Sequence, residues 1–558
     1  MTRGNRWQLV VLLASIALLI VTIATRKPAV VEETQSPTPT ATPAADAPAR
    51  SGPPFFTEAL VGEVRKLNPL LVGYNQVDRD ITALIFEGLT ATDEYGQAIP
   101  ALAESWTVSR DATVFTVALR EDARWQDGTP FTSADVDFTL RTLRAPGFGE
   151  DVPGVDQLAA FWRTVEVEAL DEHTVRFRLT QPLASFPDFL RLGMLPAHIL
   201  GNAPPEALLT HPFNLAPVGT GPYQLERLGV EGDRIASVQL RRAPTYAERE
   251  GAPAYSIERI VFDLYASFDD ALAAFRRGEV TAVGSIPSAQ IDEAAQTPGL
   301  MVYTSIAPAV GFVLFNYEHR AENSLFRDQR LRAALVASLD RQAAVSAHLG
   351  EHVVPANSPL IPGGWAWTPD VSWPAKNLDT ARTLLEKARV EGAAAFTLLC
   401  ADAPEMVALA QDIAGQWNAL GVQVTVEAVS AETLVERVSS RAFDAAIVEL
   451  SLAGMADPDP YVFWHQGEIE RGQNYGAVND GPISEALEQA RRDPAGVNRA
   501  EWYHRFQRLF AERAPAIPLY YPVYAYGVDE RVDNVQLGFL SDPSDRFRSL
   551  WAWTYHAP

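Results

Sequence analysis

Hydrophobic and polar residues alternate along two stretches in the first half of the chain, each with a short polar turn in its middle. The first stretch runs from Trp106 to Leu119, and the second from Val165 to Leu179. A period of two on both sides of a polar turn is typical of β-hairpins. We therefore expect residues 89–205 to form a mostly β subdomain, with one helix that begins at Thr132 or Ser133.

Farther along the chain, short apolar runs alternate with stretches of helical periodicity. The predicted strands are Ile257–Leu264, Val280–Val283, Phe396–Leu399, Val422–Val426 and Ala445–Leu450, and the predicted helices are Phe268–Arg277, Glu405–Leu420 and Ala431–Ser440. Asp328 is expected to cap another helix, and Gly350 to end the helix after it. This alternation predicts α/β domains with largely parallel sheets. About 500 residues follow the N-terminal region, which is more than a single hydrophobic core can serve. We therefore expect two lobes with a cleft between them.

The N-terminal region differs from the rest of the chain. Basic residues flank an uncharged apolar run, Leu9 to Thr25, which is the layout of a signal sequence or membrane anchor in residues 1–27. A helix of that length rises about 25 Å, against a hydrocarbon core of about 30 Å. Residues 28–54 are rich in Pro, Thr and Ala and predict an extended tether. An uncleaved transmembrane anchor and release after signal cleavage both remain open, and either one predicts an extracytoplasmic body.

Composition narrows the classes of function. A formal net charge of −24 without basic clusters argues against nucleic acid and anionic lipid as ligands. Cys400 is the only cysteine, which excludes an intramolecular disulfide, a thiolate metal cluster and a lipid-bearing cysteine after the apolar run. The sequence lacks a nucleophile elbow, an HExxH helix, a P-loop and a GxGxxG fingerprint. The nine histidines, including His465, lack ligand spacing. We predict no enzyme activity, no cofactor and no metal site.

Several longer segments carry a resemblance to a known family. They are LNPLL (67–71), LIFEGLT (84–90), PALAESWTVS (100–109), WQDGTPFTSADVDFTL (125–140), NLAPVGTGPY (214–223), LFRDQRLRAALVASLDR (325–341) and ADPDPYVFW (456–464). In this order and spacing they resemble the family 5 extracellular solute-binding proteins, which deliver oligopeptides, nickel chelates or oligosaccharides to ABC transporters. The resemblance implies an α/β, two-lobed, periplasmic-binding-protein-like fold of type II, in the large cluster with an extra β-rich subdomain. The ligand cleft would lie between the lobes.

The resemblance also implies a division of the chain and a set of partners. Residues 55–88, 206–304 and 526–558 would form lobe one, residues 89–205 the inserted β-rich subdomain, and residues 305–525 lobe two. The partners would be a small-molecule or peptide ligand and the permease subunits of an ABC transporter with a separate ATPase. We expect a monomer.

The first candidate site is the Gly- and Pro-rich loop 451–460, because ligands of open α/β sheets bind beyond the carboxyl ends of strands. Asp457 is the predicted charged anchor, and Trp464 follows the loop. Asp459 either borders the cleft or caps the next helix. In peptide-binding relatives an acidic residue lies three positions before the Asp-Pro step, where this chain has Ala456. Whether Asp457 pairs with a peptide amine therefore stays open.

Other candidate residues border the expected cleft. Gly219 and Gly221 allow close approach to another backbone, and Tyr223 begins a strand. The resemblance implies that Asn316, Trp365, Trp367, Asn474 and Tyr475 also lie near the ligand. For each tryptophan, a cleft wall and ordinary core packing remain alternatives.

The expected function is capture of an external solute, with an oligopeptide as the leading ligand and an oligosaccharide or metal chelate as the alternative. From a different class, a tethered surface hydrolase or a sensory ligand-binding module also remains open. A hydrolase would leave altered product, whereas a carrier would return its ligand unchanged.

Overall fold

The computed structural model describes residues 55–318, 325–388, 394–493 and 498–556. The predicted anchor and tether lie outside these residues. Within them, every helix is too short or too polar to cross a membrane.

Twenty strands are present in the described residues. They are β1 Phe56–Val61, β2 Thr90–Thr92, β3 Ala98–Pro100, β4 Ala103–Val108, β5 Val114–Leu119, β6 Glu166–Asp171, β7 Thr174–Arg178, β8 Tyr223–Glu231, β9 Arg234–Arg242, β10 Arg259–Tyr265, β11 Ala282–Val283, β12 Leu300–Ile306, β13 Ala309–Phe315, β14 Val353–Pro355, β15 Ala395–Ala401, β16 Gln423–Val429, β17 Ala445–Ser451, β18 Ala516–Asp529, β19 Val532–Asp533 and β20 Thr554–Tyr555.

The helices lie mostly between these strands. They are α1 Gln76–Ile85, α2 Ser133–Arg144, α3 Val155–Trp162, α4 Phe186–Phe189, α5 Ala197–Leu200, α6 Pro205–Leu208, α7 Pro244–Ala247, α8 Phe268–Arg276, α9 Ile291–Ala295, α10 Gln329–Ser338, α11 Arg341–Leu349, α12 Leu378–Lys387, α13 Pro404–Leu420, α14 Ala431–Ser439, α15 Tyr461–Trp464, α16 Gly481–Arg492 and α17 Arg499–Arg513. Short 3₁₀ helices span Pro212–Leu215, Ser288–Gln290, Leu325–Arg327, Gln466–Glu468 and Pro543–Ala552.

The two hairpins of residues 89–205 fold as their alternation predicts. The expectation of a mostly β subdomain with one helix is wrong, because α3, α4 and α5 lie in this range besides α2. β4 pairs antiparallel with β5, and β6 with β7, so both hairpins are confirmed, and together they form a four-stranded sheet. Thr132 and Asp135 form a reciprocal capping box at the start of α2, which confirms Thr132 as the residue that opens this helix.

The large sheet is mixed. Its order is β16-β15-β17-β13-β18-β11-β1-β10-β9-β8, and β12 and β14 also pair with β18. β1 runs parallel to β10 and β11, and β15 runs parallel to β16 and β17, as the strand–helix alternation predicts. The expectation of largely parallel sheets is wrong for the whole sheet, because β8–β9 form a hairpin and β12, β13 and β14 run antiparallel to β18.

Strand β18 links the two lobes. Its first half pairs with β13 and its second half with β12, so two lengths of chain cross from one lobe to the other. One hydrophobic core is formed by residues from the range 310–521 together with Phe539. A separate core draws on residues 56–282 and 524–553, and a smaller third cluster draws on residues 59–300 and Ala525. The lobe boundaries expected from the sequence stay predictions.

The C-terminal segment is fixed to lobe one by a buried ion cluster. Arg546 is fully buried, and its Nη2 lies 2.6 Å from Glu58 Oε1 and 2.8 Å from Asp80 Oδ2. Tyr526 donates a hydrogen bond to the other Glu58 oxygen at 2.8 Å. Because a buried charge is costly without a partner, this cluster favours one placement of the C-terminal segment on β1 and α1.

Candidate ligand-binding cleft

The first candidate loop starts where three parallel strands end. β15, β16 and β17 end at Ala401, Val429 and Ser451, at the same edge of the sheet. Loop 452–460 leaves that edge and leads into α15. Its position is therefore the one at which open α/β sheets bind ligands.

The carboxylate of Asp457 is paired inside lobe two. Its Oδ2 lies 2.8 Å from Nη2 of Arg499, and the two side chains are only 11% and 9% exposed. The guanidinium stacks 5.0 Å from the ring centre of Trp365, which packs edge-to-face on Tyr503 at 5.6 Å. Burial raises the pKa of Asp457 to about 6, and Arg499 opposes that rise. The structure thus brings Asp457 and Trp365 together through Arg499, and a contact between Asp457 and a ligand amine stays a prediction.

Asp459 joins lobe two to the inserted subdomain. Its carboxylate lies 2.6 Å from Nε of Arg491 and accepts a 3.4 Å hydrogen bond from Ser185. It also accepts the backbone N–H of Tyr461, the first residue of α15, at 3.3 Å. Asp459 therefore acts at the start of the helix, and both of its carboxylate oxygens have partners.

An ion pair of the inserted subdomain, formed by Asp188 and Arg191, also contacts this loop. Sequence reasoning missed this pair. Arg191 lies 2.6 Å from Asp188 and donates to the carbonyl oxygen of Gly454 at 2.8 Å. Asp188 accepts the backbone N–H groups of Ala456 and Asp457; its burial raises its pKa, and Arg191 opposes the rise. The i, i+3 spacing of the pair was the available signal. The loop therefore contacts the inserted subdomain through its backbone as well as through the Asp459 side chain.

An apolar pocket lies beside this loop. Its lining residues, which include Leu360, Trp367, Met455, Ala456 and Phe539, are all uncharged. The Trp367 Nε1–H group has no hydrogen-bond partner among the described residues. The pocket is therefore an apolar crevice of about 20 Å³, with room for about one water molecule, and the buried Trp367 N–H group offers no surface to a ligand.

Two further predicted residues, Asn316 and Asn474, lie together at the opposite edge of the sheet. Asn316 follows β13, which is antiparallel to β17, and its side chain donates to the carbonyl of Phe443 at 2.9 Å. Asn474 exchanges hydrogen bonds of 2.9 and 2.8 Å with the backbone of Val478. The Tyr317 N–H donates to Gly476 O at 2.9 Å and joins the two segments. The structure does not bring Asn316 and Asn474 to loop 452–460.

Tyr475 is next to Asn474 and faces the other lobe. Burial raises its pKa, and the phenol of Tyr74, just before α1, adds to the rise. The Tyr74 ring rests on Gly154, where a Cβ would lie 2.9 Å from Tyr74 Cζ. Tyr74 carries no motif of its own, and sequence reasoning missed it.

Trp464 belongs to the core of lobe two. It is 3% exposed and packs edge-to-face on Phe312 and Phe510, at 5.3 and 4.7 Å between ring centres. Core packing is the alternative that the structure favours for this tryptophan.

The glycines of the GTGPY segment pack against α1. A Cβ on Gly219 would lie 2.7 Å from the carbonyl carbon of Ile85, and the Gly221 N–H donates to Ile85 O at 2.8 Å. Tyr223 begins β8 as predicted, and its hydroxyl donates to Ile257 O at 2.7 Å. The close approach of the two backbones is confirmed, and it lies where α1 ends. A ligand contact at Gly219, Gly221 or Tyr223 stays a prediction.

Comparison with known proteins gives the class of this chain. The model of the bacterial extracellular solute-binding proteins, family 5, matches residues 97–471. The oligopeptide-binding protein AppA of Bacillus subtilis is 24% identical over 513 residues, which cover 88% of this chain and 90% of AppA. Among solved structures, HbpA2 of Haemophilus parasuis has a TM-score of 0.77 at 18% identity, covering 90% of this chain and all of that one. NikZ of Campylobacter jejuni, solved with Ni(L-His), has a TM-score of 0.65 at 23% identity, covering 90% and 99%.

The two-lobed α/β fold and the family match agree. The chain belongs to the bacterial extracellular solute-binding proteins, family 5.

Proposed function

We propose that this protein captures an oligopeptide between its two lobes and delivers it to the permease of an ABC importer driven by a separate ATPase. The observation that carries the proposal is the presence of two large separate cores in a family 5 protein, joined by the crossing strands β12, β13 and β18. Two bodies on such a connection can close on a ligand by a hinge movement.

One local feature supports a peptide as the ligand. Among the described strands, β17 pairs with β15 only at Ala445 and Ala446, so its residues 447–451 offer an edge to an extended backbone. The printed name of AppA, an oligopeptide-binding protein, agrees with this choice.

The remaining parts of the proposal follow from the sequence. The apolar run and tether of residues 1–54 hold the body outside the cytoplasm, as an anchor or a cleaved signal. The chain works as a monomer and makes or breaks no bond in its ligand.

Native mass spectrometry of the gently purified protein, followed by denaturation and identification of released molecules, tests the proposal. An intact peptide supports it. A sugar or metal chelate favours the alternative ligands, and a ligand that incubation converts to product favours a hydrolase. An empty protein with no thermal shift in peptide mixtures contradicts peptide capture.

A further inference from the structure

Glu449 differs from Asp457, Asp459 and Asp188 near loop 452–460 because, in the part of the chain that the structure describes, no basic side chain compensates it. Asp457, Asp459 and Asp188 each lie within 2.8 Å of a guanidinium nitrogen. Among the described residues, no Arg, Lys or His lies within salt-bridge distance of Glu449, and its hydrogen-bond partner is the hydroxyl of Tyr520 at 3.2 Å. Glu449 is partly exposed, so a ligand can reach it.

Strand register holds Glu449 and Tyr520 together. Glu449 on β17 is opposite Gly311 on β13, which is opposite Tyr520 on β18. Directly opposed residues in adjacent antiparallel strands place their side chains on one face. The Tyr520 ring crosses the space above Gly311, where a Cβ would lie 2.6 Å from Tyr520 Cζ. The hydroxyl reaches Glu449 because position 311 has no side chain.

The pair lies at the functional edge of lobe two. Glu449 is two residues before the carboxyl end of β17, and α13 begins at the neighbouring end of β15. The other charge near Tyr520 is that of Glu405 in the first turn of α13, which is also negative. The local potential is therefore negative at the edge where ligands of such sheets bind.

We propose that Glu449, positioned by Tyr520, binds a protonated amine of the captured solute. The inference rests on the proposed function and names the ligand group that this part of the cleft recognises. A cation would supply the missing counter-charge and replace the water that an uncompensated carboxylate needs. Burial raises the pKa of Glu449 to about 7, which agrees with a carboxyl group that lacks a cation in the empty protein.

The test uses the full chain and a tryptone digest, whose peptides carry α-amines and lysine amines, before and after acetylation of those amines. Native mass spectrometry identifies retained peptides, and calorimetry with synthetic copies gives each Kd. We expect Glu449→Gln to weaken the free-amine peptide about tenfold or more and to leave the acetylated peptide unchanged. Copies acetylated only at the N-terminus or only at lysine show which amine Glu449 binds.

Two variants accompany the test. Glu432→Gln removes one negative charge from an exposed position of α14 in the same lobe and should bind like the wild type. Tyr520→Phe should weaken the free-amine peptide less than Glu449→Gln does and spare the acetylated one, because Tyr520 acts through Glu449. Thermal melts at pH 8 confirm folding.

The outcomes separate the two proposals. If wild type binds peptides and Glu449→Gln binds the free-amine form within twofold, the amine contact is wrong and peptide capture stands. Equal losses for free and acetylated peptides also overturn the amine contact. A wild-type protein that binds no peptide in either form overturns both proposals.

Discussion

At the scale of single residues, the acidic side chains of lobe two differ in whether a guanidinium faces them. Asp457 and Arg499 form a nearly buried pair, whereas the sole hydrogen-bond partner of Glu449 among the described residues is the hydroxyl of Tyr520. Neutralising one partner of a buried ion pair leaves the other charge uncompensated, whereas neutralising a lone carboxylate removes an uncompensated charge. The two acids should therefore respond in opposite directions to neutral substitution.

Asp457→Asn is expected to lower the free energy of unfolding by about 3 kcal/mol, because Arg499 would stay buried without its counter-charge. Urea unfolding measures the change. The double variant Asp457→Asn/Arg499→Met should recover part of the loss, and the exposed Glu432→Gln should change stability little. If Asp457→Asn keeps its stability and loses only peptide affinity, Asp457 has the amine-binding role that the resemblance suggested.

Glu449→Gln is expected to stabilise the empty protein at alkaline pH. Burial raises the folded-state pKa of Glu449 from 4.5 to about 7. The neutral carboxyl therefore contributes to the free energy of unfolding. This contribution is complete below pH 4.5 and is lost as the pH rises through about 7. At about 1.4 kcal/mol per pKa unit, the rise from 4.5 to about 7 corresponds to a loss of about 3–4 kcal/mol at most, and partial exposure reduces it.

Melting temperatures of wild type and Glu449→Gln between pH 5 and pH 8 check this sign. The variant's advantage should grow across the range, since Glu405 and Tyr520, the other titratable groups near Glu449, are common to both proteins. A difference that is constant with pH would mean that Glu449 titrates normally in the folded state.

At the scale of elements, one glycine lets β13 carry the Glu449–Tyr520 contact. Gly311→Ala would place a Cβ 2.6 Å from Tyr520 Cζ, so the ring must move. We expect the free energy of unfolding to fall by about 1–3 kcal/mol and the free-amine peptide to bind more weakly. Gly415→Ala, in the interior of α13 with open space around it, is the matched control and should stabilise by about 0.5–1 kcal/mol. Equal effects of the two substitutions on stability would contradict the register argument.

Elements with local signals could be predicted, and long-range partners could not. Thr132 and Asp135 signal the start of α2 within four residues, and the runs of β15, β16 and β17 are apolar enough to be recognised alone. Asp457 pairs with Arg499 across 42 residues, and Glu58 with Arg546 across 488. No local pattern says which carboxylate a distant arginine will neutralise, so the sequence made Asp457 a candidate and passed over Glu449.

At the scale of the whole molecule, the two large cores are separate. The crossing strands, the contacts of loop 452–460 and hydrogen bonds such as that from the Trp365 N–H to Tyr95 O at 3.0 Å join the two halves. The loop is held by Arg191 and by Ser541, whose carbonyl accepts the Gly454 N–H at 2.7 Å. A ligand that touches both lobes would add to these contacts and shift the molecule towards a closed state.

A ligand that binds between the lobes must stabilise both of them. At a hundred times its Kd, a ligand of the folded state adds about 2.7 kcal/mol to stability. Calorimetry should therefore show every unfolding transition moving to higher temperature with the peptide found by mass spectrometry, and X-ray scattering should show a smaller radius of gyration. A rise in only one transition with an unchanged radius would place the ligand on a single lobe, because closure requires contacts with both sides of the hinge.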